Sequence, residues 1–504
     1  MNNKKSYFLT IDLSSKYIKV ALISEELIIE STNSNEVVII NEDIDGFNKR
    51  FDMENLITNL LLGIKKIFQN KKFEDINLIG ISSCAQRIAT VFIDNDGKVI
   101  YGGPNTDLRG IDSAYIIEDE FTEDELFKIT GHTPSLLFPL ARLLWFKEEE
   151  PNLYEKINKV LMLDDWIVYF LTGNVCSDVS SSAESQILDI RKRKWSSEII
   201  ESFDLKPDFF PKIIESGTWA GELKPELLKK LEIKGKRIPI IKTGGDTQAS
   251  LLGMGAIDQG DIGITLGTTA PVQLVLDKPK FDPNCNYWSS CHCIPGKWLV
   301  EAHSGGTGAA YNWFKEAFLS EISNKPDNLI NTYLKNSKPG DHSTYAYLGP
   351  ENMNIKNQTS IKRGIFVFQP PSMVTEEFPK LQNFTQSVIE NIAFGIFENF
   401  EALKKFYNRD IKAFCAGGMA KSSEFCKILA NVLNRRLCSP IVKDSAFVGA
   451  SINILIALDY YPDYKSIINK LLKFENYPED KSISKLYKDV YKEWKNIKNR
   501  IDDL

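Results

Sequence analysis

The sequence predicts an α/β protein of two lobes built on related plans. Three observations carry that prediction. Strand-like and helix-like runs alternate from end to end. At 504 residues the chain is too long for one ordinary core. Two hairpins of similar construction lie about 250 residues apart, each enclosing a turn of hydroxyl residues between apolar strands.

The elements follow in order. "YFLTIDL" and "YIKVALIS" flank "SSK" and read as the first hairpin. "NLIGISS" and "ATVFID" are further strands, with "DNDG" turning the chain between "VFI" and "KVIY". From "EDELFKIT" through "RLLWFKEEEPNLYEKI" to "DDWIVYFLTG" the period becomes helical, with Gly173 as a C-cap. "RIPIIKTGG" restarts the β pattern, and "GDIGITLGTTAPVQLVL" forms the second hairpin. "IKAFCAGGMAKSSEFCKILANVL" gives a strand, a Gly417–Gly418 turn and a helix. The Lys-rich tail from "YKSIINKLLKF" to "EWKNIKNR" reads as a packed helix with a solvated face. The lobe boundary is expected near Thr243, giving lobes of residues 1–242 and 243–504 joined by a tight hinge.

Composition narrows the function. The chain is 43% hydrophobic and 25% charged with net charge −6, acids and bases mixed throughout, which argues against a nucleic-acid partner. The start "MNNKKSYFLTIDL" has no apolar leader segment, and no later run approaches a membrane span, so a cytoplasmic protein with reduced cysteines is expected. Cys291-His292-Cys293 lacks a paired C-x-x-C and is read against structural zinc. A P-loop, H-E-x-x-H and G-x-S-x-G are missing. "GGTGAAY" starts like a dinucleotide fingerprint but places Tyr311 where Gly or Ala should pack.

What remains is phosphate chemistry. Asp12 stands at a strand end with Ser14 and Ser15 in the turn, a setting in which a carboxylate can position hydrated Mg²⁺; an ordinary Asp/Ser turn is the alternative. Gly267 and Thr268 in "GITLGTT" offer backbone and hydroxyl to a phosphate, or simply form a hairpin turn. Asp246, in "TGGDTQ", is either a helix cap or a positioned acid.

Taken in order, "DLSS", "GGDTQ", "GDIGITLGTT" and "CAGGMAKSS" resemble the metal/phosphate hairpin, catalytic acid, second phosphate hairpin and adenosine turn of the FGGY carbohydrate kinases. "PLARLLWFKEEEPNLYEKI", "DDWIVYFLTG" and "NFTQSVIENIAFGIFENFEAL" resemble further family segments, so the likeness runs from Tyr7 to about Leu455. The resemblance implies a two-lobed actin-like ATPase (ribonuclease H-like) fold with the active site in the interlobe cleft. It implies ATP and Mg²⁺ as cofactors and a small sugar, ketose or polyol as substrate. Asp246 would be the general base, Asp12 the Mg²⁺ organiser, and Ser14, Ser15, Gly267 and Thr268 the phosphate grip. Gly417, Gly418 and Ser422 would line the adenosine pocket, and Gln86, Arg87, Asp107 and Thr247 would join Asp246 around the sugar. Homodimers occur in the resembled family.

The sequence departs from the family at several points. The first hairpin usually reads D-x-G-T-T or D-x-G-T-S, whereas here Ser14 replaces the glycine and Lys16 a hydroxyl, with Lys16 read as pointing to solvent. Arg142 stands where Lys is usual, and the conventional glycine-rich form of the segment around "RGIFVFQPP" is missing. Arg87 resembles glycerol and autoinducer-2 kinases, but Ile88 removes the carboxylate that follows it there. "GPNTDLRG" resembles stretches of the autoinducer-2 and pentulose kinases; its Asp107 contacts sugar hydroxyls or pairs with Arg109. A pentulose-type or autoinducer-2-like substrate is expected. The alternatives are a catalytically weak relative that binds sugar or nucleotide and signals, and an actin-like filament protein.

Overall fold

In the computed structural model, strands β1 (Ser6–Leu13) and β2 (Tyr17–Ser24) form the first expected hairpin, closed by the Ser14 N–H donating to Tyr17 O at 2.9 Å. The structure describes residues 5–73, 76–234, 237–354, 363–371 and 378–501; the polar start, residues 1–4, lies outside them. The chain divides into two compact units. The first comprises Met1–Ile257, Val275–Leu299 and Asp444–Leu472, and the second Asp258–Leu274, Val300–Lys443 and Lys473–Leu504.

In the first unit the hairpin joins β3 (Ile29–Glu36), β4 (Asn77–Ala85), β5 (Trp219–Glu222) and β6 (Pro239–Gly245) in a six-stranded sheet ordered β5-β6-β4-β1-β2-β3. β1, β4 and β6 run parallel, and their burial is nearly continuous, as expected of strands covered on both faces. The helix Met53–Phe68, capped by Asp52, packs Leu56, Leu60 and Ile64 into a core with Leu9, Val20 and Leu22. Leu163–Thr172 adds Trp166, Ile167 and Leu171 and closes on Gly173 at φ 82°, as its sequence predicts. A smaller sheet orders Val99–Gly103, Thr90–Ile93 and Lys159–Met162, and packs with Pro139–Glu149 around a second core.

The helix Asp246–Gly253 lies against Ser445–Ala457 at a distance only glycine allows. A Cβ on Gly253 would stand 1.9 Å from Ser445 O, and one on Gly449 1.9 Å from Ala249 O. Small residues therefore follow Asp246 because this contact needs them.

The second unit carries β7 (Ile262–Thr265), most of β8 (Pro271–Leu276), β9 (Ala413–Ala416), β10 (Leu437–Pro440) and β11 (Phe474–Tyr477), adjacent in the order β8-β7-β9-β10-β11. Successive pairings are antiparallel, parallel, parallel and antiparallel. The series β2-β1-β4-β6-β5 of the first unit repeats that pattern of directions. The related plans expected from the two hairpins thus extend to five strands each.

Two expectations shift. The boundary placed at Thr243 falls inside β6: Asp246–Gly253 packs on Ser445–Ala457 within the first unit, so contacts hold this segment with the strands before it. The tail is not one helix. Tyr464–Leu471 and Lys481–Ile501 are separated by β11, whose edge pairing with β10 interrupts the helical run. Among the described residues no helix is long and apolar enough to cross a membrane.

Candidate active site

The parallel strands bring three loops to one edge of the first sheet. Leu13 and Gly245 both register with Ala85, so Asp12, Gln86–Arg87 and Asp246 emerge together at the carboxyl ends of β1, β4 and β6. Ligands in α/β sheets bind at such ends, where the loops converge.

Asp246 is the first residue of its helix, and Gly245 holds the N-cap position. The carboxylate accepts from the Thr247 N–H at 2.7 Å and the Thr247 hydroxyl at 3.0 Å. The cap reading is corrected by this geometry: Asp246 meets one first-turn N–H from inside the helix. Burial raises its pKa, against the opposing pull of Arg87 and the Thr247 hydrogen bonds. A carboxylate whose affinity for a proton is raised suits proton acceptance better than one held firmly ionised.

The other sequence candidates separate. Arg87 is half-buried, with Nη1 3.4 Å from Glu184 Oε1. Gln86 is buried; its Nε2 donates to Ser14 O at 3.4 Å and its Oε1 accepts from Asn105 N at 3.3 Å, so its amide ties the first hairpin to a neighbouring loop. The Thr247 hydroxyl turns to Asp246, so it holds the acid instead of facing a sugar. Asp107 is fully buried: it accepts from Lys49 N at 2.6 Å, from Arg109 Nε at 2.7 Å and from the Tyr101 hydroxyl. Of its two sequence readings the structure takes the ion pair, because a saturated carboxylate with no exposed surface has nothing to offer a sugar. Lys16 is exposed at the hairpin tip. Ser14 spends its hydroxyl on the turn, donating to Tyr17 O at 3.0 Å and accepting from Tyr17 N at 3.3 Å; Ser15 is half-buried beside it.

Two groups in this region escaped sequence reasoning. Glu184 is a fully buried carboxylate next to Arg87. Lys242 is buried among Asp164, Asp165 at 2.6 Å and Asp178 at 3.5 Å. These three carboxylates lie close enough to share a metal ion, but the Lys242 ammonium supplies the cation at their centre. Asp178 Oδ2 accepts from the Ser180 hydroxyl at 2.6 Å, and Ser180 Oγ accepts from Gly245 N at 3.3 Å, which connects the cluster to the residue before Asp246. A lysine inside a strand otherwise rich in apolar residues was the available signal for the second group.

The second unit forms a cavity of about 540 Å³, in the size range of small-molecule sites. Leu266, Gly267 and Thr268 of the second hairpin line one part; Gly418, Met419, Lys421 and Ser422 line another, facing Tyr311, Lys315 and Asn331. A Cβ on Gly267 would meet nothing nearer than Thr265 O at 4.0 Å, so its backbone is open to close approach. Gly417 adopts φ 105°, and a Cβ there would stand 2.8 Å from Leu266 O, so the turn requires glycine twice over. Gly417 is absent from the lining and acts by shaping the turn. Ser422 caps Ser423–Val432 by accepting from Phe425 N at 3.1 Å, and donates its hydroxyl to Asn331.

The residues of the first edge fit a hard divalent cation. Burial pushes the Asp12 carboxyl up to about 7, and the nearby charges of Asp246 and Asp444 push the same way. Carboxyl groups that raise one another's pKa are hard oxygen donors of the kind Mg²⁺ accepts.

Comparison with known proteins agrees with this architecture. The N-terminal domain of the FGGY family of carbohydrate kinases matches residues 7–253, and its C-terminal domain residues 262–458. The solved xylulose kinase of Lactobacillus acidophilus superimposes with a TM-score of 0.83 at 19% identity, covering 99% of this chain and 98% of that one. Plasmodium falciparum glycerol kinase with ADP gives 0.84 at 17%, again over 99% and 98%. The fold is therefore the two-domain α/β fold of actin-like ATPases. Among curated relatives, the autoinducer-2 kinase of Salmonella paratyphi A is 24% identical over 453 residues, 86% of this chain and 83% of its own. The xylulose kinase of Lactococcus lactis is 23% identical over 515 residues, 99% and 98% respectively. The chain belongs to the FGGY family of carbohydrate kinases and is a sugar kinase, a phosphotransferase with an alcohol group as acceptor.

Proposed function

We propose that this protein uses ATP and Mg²⁺ to phosphorylate one hydroxyl of a small ketose or polyol, of the pentulose or autoinducer-2 type, with Asp246 as general base. The observation that carries the reading is the Asp246 carboxylate itself. It sits at the carboxyl end of a parallel strand, fixed by Thr247 and raised in pKa, and shares its edge with Asp12 and Arg87.

Asp246 takes the proton of the sugar hydroxyl as its oxygen forms a bond to the γ-phosphorus of ATP. The bond from that phosphorus to the β–γ bridging oxygen breaks, and ADP leaves with the electron pair. Phosphoryl transfer asks mainly for positioning and charge stabilisation, with this single proton to accept. A positioned base contributes on the order of 10²–10⁴ in rate. Asp12 would hold Mg²⁺, which neutralises charge on the phosphates. The Gly267 backbone and the exposed Thr268 hydroxyl grip the phosphate, and the cavity walled by Gly418, Met419 and Ser422 takes the adenosine. Arg87 orients the sugar. In this reading residues 7–253 supply the acceptor side and residues 262–458 the nucleotide side of a cytoplasmic enzyme.

The test is ADP release from ATP and Mg²⁺ with a panel of pentuloses, hexuloses, polyols and autoinducer-2 precursor. Turnover with one sugar, lost by about 10²-fold or more in Asp246→Asn, is expected. Binding of sugar or ATP without sugar-dependent turnover would instead favour a sensor, and wild-type rates in Asp246→Asn would remove Asp246 as the base.

A further inference from the structure

Ile88 leaves Arg87 without the acidic neighbour that follows it in other branches, yet the fold returns a carboxylate to the same guanidinium. Glu184, just after the helix Val179–Ala183, places Oε1 3.4 Å from Arg87 Nη1 and accepts there from Gln248 Nε2 at 3.0 Å and Ser290 Oγ at 2.9 Å. Oε2 faces His132 Nε2 at 3.4 Å. His132 Nδ1 lies 2.8 Å from Thr130 O, a group that only accepts, so Nδ1 carries a hydrogen. The ring is wedged between Phe138 and Trp288, at centroid distances of 5.0 and 5.6 Å, and cannot turn away. Burial alone would raise the Glu184 carboxyl, but Arg87 and His132 hold it down at about 2. Glu184 is thus held toward its ionised form with no exposed surface.

Its position gives that charge a consequence. Gln248 is two residues beyond Asp246 on the same helix, and Arg87 is the group whose charge most opposes the rise in the Asp246 pKa. An arginine without a partner is a ready-made fork for a carboxylate. Here one branch of the fork is committed to Glu184, and the same edge carries the carboxyl groups of Asp246 and Asp12. An anionic substrate would have to displace Glu184 or approach several like charges. A neutral sugar needs N–H donors, which a paired arginine still supplies, and acceptors, which the carboxyl oxygens of this edge supply.

We infer that Glu184 is a specificity-determining and positioning residue: it neutralises Arg87 at the acceptor site and so fits that site to uncharged sugars over aldonates. The inference rests on the kinase reading and on Arg87 facing the acceptor. It deepens that reading by naming the charge of the substrate.

The test uses the full chain. Binding by calorimetry and initial rates with ATP are measured for a panel of uncharged ketoses and polyols, xylulose among them, and for gluconate and shorter aldonates. Wild type, Glu184→Gln and Glu184→Asp are compared. Wild type is expected to favour an uncharged sugar by about tenfold or more in affinity and in kcat/KM. Glu184→Gln should raise KM for that sugar about tenfold with kcat within about threefold, and narrow the gap to the aldonate, while Glu184→Asp recovers part of the original KM. Aldonate binding as tight as that of any uncharged sugar in wild type, or binding of no uncharged sugar, overturns the inference. So does a Glu184→Gln protein that loses kcat alone, for all sugars equally, as a merely structural residue would. Should Glu184→Gln not fold, the wild-type comparison and Glu184→Asp still decide. Selective binding of uncharged sugars without turnover sinks the kinase reading and leaves the charge selection standing.

Discussion

Replacing Gly449 by alanine should slow the enzyme as well as destabilise it. The Cβ would be built 1.9 Å from Ala249 O, where real contacts do not fall below 3.0 Å, so the helix Ser445–Ala457 and the helix Asp246–Gly253 must part by about 1.1 Å at this point. The obstructing atoms are backbone, so no side chain can move aside to absorb the strain. Overpacking of this kind costs about 1–3 kcal/mol. A functional cost of similar size follows because Ala249 is three residues from Asp246 on the same short helix, and a misplacement of about 1 Å in a reacting group can cost on the order of 10²-fold in rate. The assay is steady-state kinetics with the preferred sugar, beside urea unfolding. The expected result is kcat down about 10–10²-fold, KM for ATP unchanged within about threefold, and a modest loss of stability. A Gly449→Ala protein that folds and keeps wild-type kcat would refute the reasoning, because the helix contact would then not set the position of the acid.

Two other perturbations test buried charge. Lys242→Met leaves Asp164, Asp165 and Asp178 without their cation, and should cost about 3–5 kcal/mol in urea unfolding, less at pH 5 than at pH 8 because the orphaned acids can take up protons. Glu390 is buried on Leu381–Lys404, and burial pushes its carboxyl from an ordinary 4.5 up to about 7. Between those values the native state holds a proton the unfolded chain has released, so this group's contribution to stability is full below about 4.5 and falls as pH rises to about 7. Glu390→Gln retains an oxygen for the Gln386 and Gly340 donors and removes the titration. It should therefore stabilise the second unit by up to about 3 kcal/mol at pH 8 and by little at pH 4.5, and a pH-independent difference in the urea midpoint would contradict this.

What the sequence discloses and what it hides follow from how far apart the deciding residues lie. The hairpins at Asp12–Lys16 and Leu266–Thr269 are legible because strand, turn and return strand are contiguous, and Asp246 is legible because strand, glycine pair, acid and helix adjoin. Glu184 acquires its meaning from Arg87, His132, Gln248 and Ser290, segments 97, 52, 64 and 106 residues away, and no local pattern marks it. Asp107 shows the limit from the other side. Arg109 two positions on made an ion pair visible, but only burial decides between that pair and a sugar contact. The unit boundary is hidden for the same reason, since Asp444–Leu472 joins the first unit through helix packing that leaves no mark near Thr243.

The first hairpin remains the argument for a weakened enzyme, and its geometry answers half of that argument. The family glycine would matter if position 14 required a left-handed backbone. The residues at positive φ among those described include Leu27 and Ile88 but not Ser14. Ser14 instead fastens the turn three times over, through its N–H and its hydroxyl to the Tyr17 backbone. The register on both sides is regular, with Asp12 opposite Lys19 and Leu13 opposite Ile18, so Asp12 stands where an unbroken hairpin puts it. What the substitution removes is a backbone surface bare of side chain, against which a phosphate could lie. The cost of Ser14 is thus to be sought in the affinity for nucleotide phosphate and not in the fold of the turn. Ser14→Gly should then lower KM for ATP without changing stability by more than about 1 kcal/mol, the entropic penalty of glycine.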